Sequence, residues 1–183
     1  MNLGNRKGIS EELEGLENPV VLALIDPVQY HEAVIELLSY FTKSNRYGIY
    51  VSLNKPYSNL LKSFDKAGIP THSIFFVDGI TNVPSIEETD SHTCLGSGVD
   101  LSNLCIAISK AVGRSADDRF LFLDSLTTLL IYNEPRAVAK FAHLLTEKMR
   151  RWNSAGSLLA IDTNSEREVV SQLAPFCDKV VKL

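Results

Sequence analysis

The sequence is poor in the residues that usually announce a chemistry. It holds only three cysteines, Cys94, Cys105 and Cys177, widely spaced and without a CxxC pair. That odd, scattered set speaks against a disulfide framework and for a reduced, cytoplasmic chain in which Cys105 and Cys177 fill core space. The four histidines, His31, His72, His92 and His143, lie far apart, so the clustering a zinc site needs is missing. His31 reads as a surface residue of a first helical turn. There is no long hydrophobic run: the longest, "VVLALI" at Val20–Ile25, falls far short of the ~20 residues that span a bilayer. The opening "MNLGNRKGISEELEGLENP" lacks the apolar centre of a signal peptide. Positive charge is also scarce. The formal net charge is −4 and the pI about 5.6, which argues against a general nucleic-acid surface. The densest basic cluster, Lys148, Arg150 and Arg151, reads as a solvated helix end. Internal repeats, linkers and low-complexity tracts are absent as well.

What is present is a layered pattern. The 183 residues are 45% apolar and 22% charged, enough for the core of one ordinary domain. Six short runs rich in β-branched and aromatic residues read as strands: Pro19–Ile25, Tyr47–Leu53, Ser73–Val77, Arg119–Leu123, Ser157–Ile161 and Lys179–Val181. Their apolar residues hardly alternate, as expected of strands buried on both faces of a parallel sheet. Between them, apolar residues recur at spacings of three and four, starting at Tyr30, Tyr57, Leu101, Val138 and Val169, and predict five helices with one apolar stripe each. The punctuation agrees. "DKAGIP" puts Gly68 and Pro70 just past a helix, and "DPVQ" at 26–29 reads as a capping box with proline at the first helical position. Strand and helix in alternation predict an α/β fold: a single doubly wound, mostly parallel sheet flanked by helices over residues 19–183. A polar arm, 1–18, precedes it, with one helical turn from Ser10. Residues 79–99 follow neither period and read as a long functional loop with a short strand near Thr93–Leu95.

Four aspartates, Asp26, Asp78, Asp124 and Asp162, fall at strand ends. In a doubly wound sheet those ends share the edge where ligands bind, and several carboxylates there suit a hard cation such as magnesium. Each also has a local use: Asp26 as a helix cap, Asp78 before the turn glycine Gly79, Asp162 opening "DTNSE". Asp124 has the least local use, although Ser125 behind it is a possible helix start, and Ser125, Thr127 and Thr128 offer hydroxyls to a ligand. No histidine or acid stands beside these hydroxyls to form a nucleophile triad. "LGSGVD" at 95–100 has the outline of a phosphate loop but lacks its third glycine and lysine, and Ser97 with Asp100 reads equally as a cap.

The run "RFLFLDSLTTLLIYNEPRAVAKFAHLLTEKMR", with "YGIYVSLNKPYSNLLKSFDKAGI" before it and "FCDKVVKL" at the end, resembles the KaiC/RecA-like ATPases, above all the archaeal KaiC-like branch. The resemblance covers most of residues 19–183 and implies a P-loop NTPase fold. It makes Asp124 the magnesium-type aspartate of a Walker B strand. It also exposes departures. The phosphate loop GxxxxGK[ST] belongs between the first strand and helix, where this sequence has only Asp26. The paired glutamates expected after the second strand are replaced by Asn54 and Lys55, neither of which can take a proton from water. A carboxylate at the helix N-terminus would repel a triphosphate from the anion site there. The expectation is therefore a non-catalytic module: no cofactor required, nucleotide bound weakly or not at all, and a protein partner or self-association in place of chemistry. The alternatives are a magnesium-dependent phosphate-ester or phosphoacceptor site on the strand-end aspartates, and nucleotide binding without hydrolysis.

Overall fold

The structure, a computed structural model, describes residues 8–43, 46–96, 100–115, 118–163 and 167–183. Its centre is an eight-stranded sheet: β1 (Val20–Ile25), β2 (Tyr47–Ser52), β3 (Ile74–Asp78), β4 (Glu87–Glu88), β5 (His92–Cys94), β6 (Arg119–Asp124), β7 (Ala155–Ile161) and β8 (Lys179–Lys182). The order across it is β4-β5-β3-β2-β6-β7-β1-β8, and every pairing is parallel except β4 with β5. Parallel strands require crossovers, and helices supply them on both faces. One face carries α1 (Ile9–Glu12), α2 (Tyr30–Thr42) and α3 (Tyr57–Lys66). The other carries α4 (Leu101–Val112), α5 (Leu126–Tyr132), α6 (Pro135–Arg151) and α7 (Arg167–Leu173).

Two apolar layers result, and the strand period assigns residues to them. Leu121 and Leu123 of β6 face α4–α7, whereas Phe120 and Phe122 face α2 and α3. All four are fully buried, which explains why the runs read as unbroken apolar stretches. The helix ends follow the residues expected to make them. After α3, Gly68 adopts φ +69. Its N–H reaches Asp65 O and the Ile69 N–H reaches Phe64 O, the paired bonds of a Schellman stop.

Several expectations are corrected. β7 begins at Ala155, two residues before the predicted strand, and Gly156 lies within it, between β6 and β1. A separate helix, α5, precedes α6. Ser125 caps its start by accepting from Thr128 N at 3.4 Å, and Asn133 closes it by donating to Leu129 O before Pro135 opens the next helix. The first long helix does not start at Pro27: Pro27–Gln29 form one 3₁₀ turn ahead of α2. Residues 8–18, read as part of a polar arm, instead place Ile9 and Leu13 in the core beside α2, since only these two apolar residues of the "ISEEL" turn share a face.

The aperiodic stretch after β3 holds a small hairpin, β4–β5, and β5 adds to the sheet beside β3. Residues 97–99 of "LGSGVD" lie outside the described residues, while Asp100 caps α4 by accepting from Asn103 N at 2.8 Å. Arg114, past the end of α4, clasps the hairpin: it pairs with Glu88 at 2.7 Å, donates to Thr89 O at 3.0 Å and lies 4.3 Å over the Phe75 ring. Arg114→Ala is expected to leave global stability almost unchanged, because these contacts are partly exposed. Hydrogen exchange at residues 86–91 should nevertheless rise by roughly tenfold as the hairpin opens locally. Unchanged protection there would show that the clasp contributes nothing.

Candidate functional site

Parallel pairing brings the carboxyl ends of β1, β2, β3, β6 and β7 to one edge. Register then decides which side chains meet. Ser52 of β2 lies opposite Asp124 of β6, and Tyr50 lies opposite Phe122. Tyr50, Phe122 and Asp124 share the α2/α3 face by the two-residue period. The Tyr50 ring stacks on Phe122 with centroids 5.2 Å apart, so its hydroxyl reaches one step further along the sheet. There it donates to Asp124 Oδ2 at 2.5 Å. The other oxygen, Oδ1, accepts from the Tyr30 hydroxyl, which comes from the first turn of α2, and from the Asn54 amide just past β2. The Asn54 amide also reaches the Tyr30 hydroxyl at 3.1 Å, and its carbonyl oxygen accepts from Thr128 Oγ1 of α5. The Asp124–Ser125 peptide is cis.

Asp124 is only 2% exposed. Burial pushes its carboxyl above the usual range, against the opposing pull of hydrogen bonds from Tyr30, Tyr50 and Asn54 and of the nearby Lys55 charge. Burial raises both phenols too, and the Asp124 charge raises them further, so each keeps its proton and acts as a donor.

The other strand-end aspartates do not join this group. Asp26 caps its own 3₁₀ turn, accepting from Val28 N at 2.8 Å. The expected capping box is only half made, because the Asp26 N–H donates to Leu183 O at 2.7 Å. Asp78 is buried and fully engaged: it accepts from Tyr57 N at the start of α3, from Ile80 N and Thr81 N in the turn, and from Thr81 Oγ1. Asp162 is exposed and ion-paired to Lys182 at 3.1 Å. Ser125 is buried as the α5 cap, and Thr127 Oγ1 accepts from Ile161 N at 2.9 Å. Among the described residues, no three His, Cys, Asp or Glu side chains gather as metal ligands. Asp124 in this arrangement does not fit magnesium: both its oxygens are bonded to protein donors, and among the described residues no second carboxylate touches it.

The centre of the cluster is thus made by Tyr30 and Tyr50, which sequence reading treats as parts of a helical stripe and a strand. One signal was available: a tyrosine in a strand buried on both faces needs a partner for its hydroxyl.

Residues 26–183 match a protein family described as a family of unknown function, DUF7504. The chain belongs to that family. No curated protein matches it. Among solved structures, it is similar to a KaiC-like protein from the hyperthermophilic archaeon Pyrococcus horikoshii, with a TM-score of 0.64 and 15% identity over 97% of this chain and 77% of the other. It is also similar to an uncharacterised protein of the same organism solved in complex with an unknown peptide, with a TM-score of 0.70 and 13% identity over 94% of this chain and 80% of the other. At such identities the likeness speaks for the fold, and the mostly parallel sheet with helices on both faces is a KaiC/RecA-like α/β fold. Within this DUF7504 chain no helix is long and apolar enough to cross a membrane among the described residues.

Proposed function

We propose that this DUF7504 chain is a non-catalytic RecA/KaiC-like binding or regulatory module that does not hydrolyse ATP. One observation carries the reading: Asp124, at the position of the magnesium-type aspartate, is sealed by Tyr30, Tyr50 and Asn54. Tyr30 belongs to the first turn of α2, so the element that would face a triphosphate instead supplies a plug. Asp26 adds a carboxylate at the cap of the turn that leads into α2, where like charge disfavours a phosphate. Asn54 and Lys55 offer no general base after β2. No resident cofactor is expected, and nucleic acid is a poor partner for a chain of net charge −4. A protein partner fits the fold once its edge is closed, and a neighbour of this fold solved with a peptide supports that direction.

The test is direct. Equilibrium binding of labelled ATP and ADP, with and without magnesium, should show no saturation in the micromolar range, and phosphate release should stay at the buffer background. Micromolar affinity or turnover would sink the reading.

A further inference from the structure

A groove of about 250 Å³ runs between α6 and α7. Its floor is apolar, with Ala139, Leu173 and Phe176, and Phe176 remains 39% exposed with its ring 4.0 Å from that of His143. Its rim is cationic. Arg136 and Lys140 stand one turn apart on α6, and among the described residues neither is ion-paired. Helix α6 carries five lysines and arginines against one glutamate, in a chain of net charge −4. Charge is therefore strongly segregated.

The complementary surface lies on the same chain. Residues 8–18 hold four glutamates and no lysine or arginine. Gly15 adopts φ +79, a left-handed turn that suits glycine. It leaves Leu16 39% exposed, an apolar knob flanked by exposed Glu14 and Glu17. Among the described residues neither glutamate is ion-paired. A leucine between two carboxylates is the counterpart of an apolar floor between two cations.

The knob cannot reach the groove of its own copy. Asn18 bonds Asn153 at 3.1 Å, just past the far end of α6. Asn153 lies about 15 Å along the axis from His143, at the usual helical rise, and Arg136 is further still. Ile9 and Leu13, buried beside α2, hold the segment on the opposite face of the sheet.

We propose that the Glu14–Glu17 turn of a second copy docks in the α6–α7 groove, with Leu16 against Phe176 and Leu173 and the glutamates facing Arg136 and Lys140. Such a contact is heterologous: each copy keeps a free knob and a free groove, so association proceeds head to tail into a ring or an open chain. The proposal goes beyond the non-catalytic reading and fails separately. ATP turnover would overturn that reading and leave this contact untouched, whereas a monomer overturns the contact alone.

Sedimentation velocity of the full chain over a concentration series tests it. Size should grow with concentration beyond a dimer, and affinity should fall by about tenfold from low to high salt. Arg136→Glu with Lys140→Glu should abolish association, and so should Glu14→Lys with Glu17→Lys. Mixing the two double variants should restore it, because each reversed surface then meets its complement. Leu16→Ser should weaken association without altering any charge. Circular dichroism checks that each variant is folded, as expected for exposed positions. A wild type monomeric at every concentration, association that survives both reversals, or a mixture that stays monomeric would each overturn the proposal.

Discussion

Asp124→Ala is expected to lower the unfolding free energy by about 3 kcal/mol, since it leaves the buried hydroxyl of Tyr50 and the half-buried one of Tyr30 without an acceptor. Each orphaned polar group costs roughly 1–3 kcal/mol, and the void left by the carboxylate adds to that. Asn54 loses less, because it keeps its bond from Thr128. Asp124→Asn should cost less. Its carbonyl oxygen still accepts from Tyr30 and Asn54, so only the Tyr50 hydroxyl loses its acceptor. Urea denaturation of both variants separates the roles: equal losses would mean that charge, not acceptor geometry, holds the cluster.

The same pair reports on pH. Burial raises the Asp124 carboxyl in the folded state above its unfolded value, which lies near 4. Between those two values the native state binds the extra proton, so the favourable contribution is complete below the unfolded value and is lost as pH rises through the folded one. Wild-type stability, measured relative to Asp124→Asn, should therefore decline as pH rises from about 4 and level off above the raised value. An opposite slope would mean that the hydrogen bonds outweigh the burial.

Gly156→Ala is expected to be more damaging still, by roughly 4 kcal/mol or more. Gly156 sits in β7 opposite Leu121 of β6 on one side and Val20 of β1 on the other. A Cβ there would lie 1.9 Å from the Leu121 carbonyl oxygen and 2.8 Å from Met149 Cε. The methionine tip can move, but the carbonyl belongs to a central strand and cannot do so without breaking its ladder. The variant should express poorly, or unfold at much lower denaturant concentration. A melting temperature within a few degrees of wild type would show that the strands can part at this point.

These two sites differ in how legible they are. Asp124 stands out in "FLFLDS" as an acid ending an apolar strand, yet nothing near it in the chain names Tyr30 or Tyr50, which are 94 and 74 residues away. Gly156 is misleading locally, because a glycine after "RRWNSA" looks like the end of a loop. Asp78 reads as a turn residue, which it is, but its bond to Tyr57 N at the start of α3 depends on β3 lying beside β2. Ile9 and Leu13 were hidden by the glutamates around them.

The alternation of strands and helices, their approximate limits, the α3 stop at Gly68 and the Asp26 cap were all readable along the chain, because each rests on interactions within a few residues and on the periods of 2 and 3.6. The hydrogen-bonded cluster around Asp124 was not. It depends on the register of β6 against β2 and on where α2 lands after crossing the sheet. Those are relations between distant segments, and folding sets them by the burial of both faces at once. Tertiary packing therefore made the acid at the end of β6 the hub of a hydrogen-bonded cluster.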